Sequence, residues 1–145
     1  AGKSGGVAHV LSRYAQEVRE HRRRAARLLS RRLLVMIDAD EDAVDRRLSQ
    51  LDERLASDGQ ERRSADERLV LLVPRRNIET WIHWLEGNPV DEGETYPRYT
   101  EEERRCQESV DRLVALIHSQ APLPPDCPPS LQRGIEEIRQ RLLRA

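Results

Sequence analysis

Residues 32–45 read RLLVMIDADEDAVD, an apolar run that stops in a cluster of acids. Leu33, Leu34, Val35, Met36 and Ile37 are contiguous and apolar, and a run of this length is expected to be a strand buried on both faces. Asp38 and Asp40 flank the small Ala39 at its end, and Glu41, Asp42 and Asp45 follow closely. In open α/β sheets ligands gather beyond the carboxyl ends of the strands. Residues i and i+2 of an extended chain point to the same side, so both carboxylates are placed to converge on one hard cation. Two carboxylates, with water and substrate phosphate in the remaining positions, is a common way to hold Mg²⁺. The alternative is that these acids only end the strand and cap the next helix, and Asp42 before AVDRRLSQLDERL suits an N-cap.

Outward from that stretch, the apolar positions Val44, Leu48, Leu51 and Leu55 mark an amphipathic helix over 42–57. A polar loop over 58–67 leads to RLVLLVP at 68–74, a second apolar run and so a second buried strand. Two such strands joined by a helix form a βαβ unit, which implies a parallel sheet with a right-handed crossover. Asn77 is placed to cap the helix that starts at IETWIHWLEG, with Ile78, Trp81, Ile82 and Leu85 inward and Glu79 in the first turn. Parallel neighbours end on the same side, so Glu79 is expected near Asp38 and Asp40, or else only complements the helix dipole. Trp81 and Trp84 are read as packing residues rather than a base-stacking platform.

The flanks are helical. Val7, Val10, Leu11, Tyr14 and Val18 space a helix over 7–30, which carries a basic surface of Arg19, Arg22, Arg23 and Arg27. His9 and His21 have no ligand partners nearby in sequence and are read as surface or interface residues. Gly87 closes the helix after Trp84, and a turn-rich loop follows. Thr100 and Glu103 form a capping box for a helix over 100–120, with Val110, Leu113, Val114 and Ile117 as its buried face. APLPPDCPPS is extended, and Ser130 caps a last helix bearing Leu131, Ile135, Ile138, Leu142 and Leu143. The expected architecture is a single α/β domain over 1–145: a small parallel, Toprim- or Rossmann-like sheet with flanking helices. Residues 100–145 form a helical C-terminal extension packed on it.

Composition narrows the function classes. With 145 residues, 37% hydrophobic and 35% charged, the chain builds one domain with a real core. Its net charge of −1 excludes a generic polyanion binder. Residues 1–32 nevertheless carry nine basic residues against two acids, a net of +7, either a phosphate-guiding surface beside the acids or an ordinary solvated helix face. Lys3 is the only lysine, and phenylalanine is absent. Cys106 and Cys127 have no metal-ligand or disulfide spacing, so free thiols in a reducing cytoplasm are expected. No apolar run has the length of a membrane span. GKSGG at residues 2–6 lacks the preceding strand and first glycine of a phosphate loop and is read as a flexible lead-in.

A strand ending in DAD, a helix, and a strand ending in proline before an ETW helix together resemble the second half of a Toprim-like domain. The likeness covers about residues 31–87. It is greatest to the small stand-alone Toprim-like proteins beside ATPases in bacterial phage-defence loci, related to the nuclease part of the OLD family. The resemblance implies that Asp38, Asp40 and Glu79 are catalytic and hold Mg²⁺ or Mn²⁺ for phosphodiester cleavage. It implies a nucleic-acid substrate, DNA before RNA, with Arg75, Arg76, Arg19, Arg22, Arg23 and Arg27 on the backbone. An ATPase is an implied partner, and a homo-oligomer is compatible. The family's glutamate at the end of a first strand has no counterpart in this sequence. Either an N-terminal segment precedes residue 1, or the site is incomplete and the chain is a catalytically degenerate subunit that docks on a partner.

Overall fold

The computed structural model describes residues 5–28, 30–96 and 103–143. Its elements run α1 (Gly5–Ala25), β1 (Leu33–Met36), α2 (Val44–Ser57), β2 (Leu69–Leu72), α3 (Ile78–Leu85), α4 (Glu103–His118) and α5 (Pro129–Leu142). β1 and β2 pair in parallel, Leu33 opposite Leu69 and Met36 opposite Leu72, as expected for a βαβ unit. The described residues thus form a small α/β fold with a two-stranded sheet.

The strand period of two sorts the core into two layers. The odd-numbered Leu69, Leu71, Ile37, Ala39 and Val73 pack against Tyr14 and Val18 of α1 and Leu51 and Leu55 of α2. The even-numbered Val70 and Leu72 pack against Trp81 and Leu85 of α3 and Leu131, Ile135, Ile138 and Leu142 of α5. α5 is therefore the second cover of β2 and completes its burial. Gly134 permits the close approach: a Cβ there would meet Leu72 Cδ2 at 3.0 Å and the Trp81 ring at 3.6 Å.

Several expectations are corrected. β2 is buried along its whole length, but β1 alternates: Leu34 is 51% and Met36 44% exposed, because the second helical layer stands over β2 alone. Asp42 does not cap α2; the cap position is Ala43, with no side-chain hydrogen bond, and Asp42 faces Arg46 and Arg47 instead. Asn77 occupies the cap position of α3 without a capping bond. On α4, Val110 and Val114 are exposed, while Leu113, Leu116 and Ile117 pack inward, so the buried face is rotated from the expected one. Leu143 is exposed, and His21 is buried, not superficial. Ser130 lies in the first turn of α5 and Pro128 at its cap position. The capping role expected of Thr100 lies outside the described residues, as do residues 1–4. No helix among the described residues is long and apolar enough to cross a membrane.

Candidate functional site

The pairing of β1 with β2 continues beyond both strands. Ile37 N–H donates to the Leu72 carbonyl at 3.0 Å, Ala39 N–H to Pro74 at 2.9 Å and Asp40 N–H to Arg76 at 3.3 Å. These bonds hold Asp38-Ala39-Asp40 against Pro74-Arg75-Arg76 at the carboxyl end of the sheet. α3 starts two residues after Arg76, which places Glu79 on the adjoining turn. The chain does not stay extended through the acids, however. Asp40 has φ 55°, and Asp42 N–H closes a turn onto the Ala39 carbonyl at 2.9 Å. Aspartate tolerates this left-handed conformation better than most residues. The extended backbone from which the same-side relationship of Asp38 and Asp40 is expected therefore ends at Asp40. Asp38 is half-buried and Asp40 exposed.

The donor chemistry suits a hard divalent cation, for which two carboxylates suffice when water and phosphate complete the shell. Asp38, Asp40 and Glu79 nevertheless do not assemble into one cluster. Among the described residues no group of three or more His, Cys, Asp or Glu side chains is arranged to hold a metal ion.

Sequence reasoning missed the cation beneath this loop. Arg47 is 5% exposed; its Nη2 donates to the Ala39 carbonyl at 3.0 Å and its Nη1 to Gln50 Oε1 at 2.7 Å. Its remaining charge is met by Asp42 at 3.5 Å. A signal for it existed: position 47 shares the buried face of α2 with Leu51 and Leu55.

The arginines divide into two groups. Arg75 is exposed and Arg76 half-buried, both beside the acid-bearing turn. The basic surface of α1 lies elsewhere. Arg22 grips Glu67 through two bonds of 2.9 and 3.0 Å and also reaches the Glu61 carbonyl. Arg19 pairs with Asp58, and Arg23 and Arg24 with Glu20. Glu67 precedes β2, so this surface lies at the amino ends of the strands, roughly 20–25 Å along the chain direction from Asp38. It does not adjoin the acids. Arg27 is exposed, and no acid pairs with it among the described residues. The hydrogen bonds from Arg23 and Arg24 hold Glu20 down at about 2. Burial raises the Glu67 carboxyl, but Arg22 and the Ser64 N–H outweigh it, so its pKa falls below the ordinary value.

A cavity of about 540 Å³ opens beside Arg75, lined also by Glu92, Cys127 and Ser130. Its chemistry is already satisfied. Glu92 is buried, and its Oε1 accepts the Ser130 N–H at 2.8 Å while Oε2 accepts the Ser130 hydroxyl. The same hydroxyl oxygen accepts Trp81 Nε1–H at 2.9 Å and Arg75 N–H at 3.3 Å. A carboxylate over the first turn of α5 offsets the positive end of the helix dipole, so Glu92 fills the position an anion would take. Burial and the neighbouring Asp126 push the Cys127 thiol up to about 11, which leaves it protonated and a poor nucleophile at neutral pH. No local pattern announces Glu92, which lies 38 positions before Ser130.

Compared with family models, curated proteins and solved structures, the chain finds no match.

Proposed function

We propose that the chain is a Toprim-like domain that acts on nucleic-acid phosphodiesters, DNA before RNA, with Asp38 and Asp40 as its principal acids. The observation supporting this reading is the run of hydrogen bonds that seats these acids against Pro74-Arg75-Arg76 at the carboxyl end of a parallel pair, where open α/β sheets bind ligands. Asp38 and Asp40 would hold the ion, Mg²⁺ or Mn²⁺, which would supply polarisation of the scissile phosphate and a lowered pKa of water, and Glu79 would orient water from the adjoining turn. Arg75 and Arg76 meet the phosphate backbone, which makes binding fall steeply with salt. A place in bacterial defence, in the cytoplasm, rests on the sequence resemblance. The test is cleavage of single-stranded and duplex DNA with Mn²⁺: Asp38→Asn loses activity while its thermal unfolding matches the parent. Equal cleavage by the two proteins would refute the assignment.

A second reading is favoured by one observation. The left-handed turn at Asp40 and the lack of a three-acid cluster among the described residues suit a catalytically degenerate subunit that docks on a larger partner such as an ATPase. That subunit folds fully, has no Mn²⁺ affinity and cleaves nothing.

A further inference from the structure

The two edges of the sheet are treated in opposite ways. In this parallel pair the even residues of β2 face β1, as the bonds to the Arg68, Leu72 and Pro74 carbonyls show, so its odd residues face outward. That outer edge is sealed by side chains. Leu71 N–H donates to Glu137 Oε1 at 2.7 Å, the Leu71 carbonyl accepts Arg133 Nη1–H at 2.9 Å and the Leu69 carbonyl accepts Arg63 Nη1–H at 2.9 Å. Glu137 is further clamped by Arg63 and Arg133. Side chains of charged residues thus occupy three of the backbone groups a neighbouring strand would use.

On β1 the odd residues face β2, so the N–H and C=O groups of Leu34 and Met36 point outward. Among the described residues no strand pairs with that edge. An unpaired edge is a template for another chain, and proteins ordinarily block it with charge, proline or cover. Here Leu34 and Met36 are apolar and about half exposed. On the opposite face α1 overhangs the edge, and His9, Val10, Arg13, Tyr14 and Glu17 form with β1 a groove of about 300 Å³.

We infer that the free edge of β1 takes one extended segment of a partner polypeptide as a third strand, seated beneath α1. The edge specifies the chemistry of that segment. Its backbone pairs with Leu34 and Met36, and its side chains are apolar on both faces, against Val10 and Tyr14 on one and beside Leu34 and Met36 on the other. The edge is also polar along its length, with Arg31 and Arg32 before β1 and Asp38, Asp40, Glu41 and Asp42 after it. A strand added parallel to β1 therefore carries acid at its amino end and base at its carboxyl end. A second copy is a poorer occupant, because antiparallel pairing through this edge sets its own α1 on the face where the first α1 already overhangs. The inference is independent of the chemistry at Asp38 and Asp40.

The test is amide hydrogen exchange by NMR on the full, isotope-labelled chain. The probe is a seven-residue peptide of alternating valine and isoleucine between a first glutamate and a last lysine, apolar on both faces. In the chain alone, Leu33 and Ile37 amides, bonded to β2, exchange slowly, whereas those of Leu34 and Met36 exchange quickly. Saturating peptide slows Leu34 and Met36 by about tenfold or more, and a peptide N-methylated at alternate residues has no effect. The variant Leu34→Lys/Met36→Lys changes two exposed side chains, keeps the fold and loses the peptide response. Unchanged exchange at millimolar peptide would overturn the inference. Slow exchange of Leu34 and Met36 that depends on protein concentration alone would also overturn it, and would name a second copy as the occupant.

Discussion

Arg47 Nη2 donates to the carbonyl oxygen of Ala39 at 3.0 Å, so a buried guanidinium on α2 fixes the backbone between the two strand-end aspartates. A hydrogen bond from a charged donor in a site this enclosed contributes about 1.5–3 kcal/mol. Arg47→Ala is expected to lower unfolding free energy by that amount in urea titration. Arg47→Met refills the volume but not the hydrogen bond to Ala39, so it recovers only the packing part of the loss. A methionine variant as stable as the parent would show that packing, not the hydrogen bond, dominates.

Glu92 and Ser130 form the second predicted weak point. Glu92→Ala leaves the buried Ser130 N–H without its acceptor and removes the charge from the first turn of α5. The expected cost is about 2–4 kcal/mol, the sum of a lost charged hydrogen bond and a lost cap. Trp81 Nε1 bonds the same hydroxyl, so its fluorescence reports the change. An unshifted spectrum with full stability would contradict this role for Glu92.

The βαβ unit was legible because it is local: the apolar runs at 33–37 and 69–72 and the stripe Val44, Leu48, Leu51, Leu55 repeat at the periods of their elements. What covers a strand is not local. The run at β1 says nothing of Leu34 and Met36 lying on the face of α3 and α5 but beyond their cover, since that depends on where distant helices stop. On α4 the two valines misled the phase, because the buried face takes in Ser109 and Leu116 and leaves Val110 and Val114 outside. The candidate site was legible in part. The strand-end position of Asp38 and Asp40 followed from the apolar run, but the turn at Asp40 did not. Glu92 with Ser130 and Glu137 with Leu71 join residues 38 and 66 positions apart, which no short-range pattern encodes. Pairing of Arg19 with Asp58 and of Arg22 with Glu67 was hidden for the same reason, whereas the pair of Arg23 with Glu20 is local.

Stability falls with acid in two stages. His21 is buried, and burial, then the charge of Arg31, lowers its pKa below 6.5. The unfolded chain takes up its proton near the ordinary value while the folded chain does not, so stability declines as pH drops below about 6.5. Burial raises Glu137, but the bonds from Arg63 and the Leu71 N–H outweigh it and its pKa lies below 4.5. Its stabilisation is present above about 4.5 and is lost as pH falls through its lower folded value. Thermal melts across this range are expected to show both declines, and His21→Gln removes only the first. A profile in which that variant retains the upper decline would reject the assignment.

The arginines are expected to separate by what they touch. Arg22→Ala breaks the two hydrogen bonds to the half-buried Glu67 and lowers stability by about 1–3 kcal/mol. Arg27→Ala leaves stability within about 0.5 kcal/mol. Under the proposed function, Arg75→Ala and Arg76→Ala weaken DNA binding and each reduces the salt slope by about one. Fluorescence anisotropy at several salt concentrations reads both quantities. Equal slopes for Arg27→Ala and Arg76→Ala would place the nucleic acid somewhere other than the carboxyl end of the sheet.

The most direct test of the central claim is Mn²⁺ binding by isothermal calorimetry on the parent and on Asp38→Asn/Asp40→Asn. The account predicts that the parent binds, and that the double variant, equally folded by circular dichroism, does not. A folded parent without affinity for Mn²⁺, or a double variant that binds as well as the parent, would contradict it.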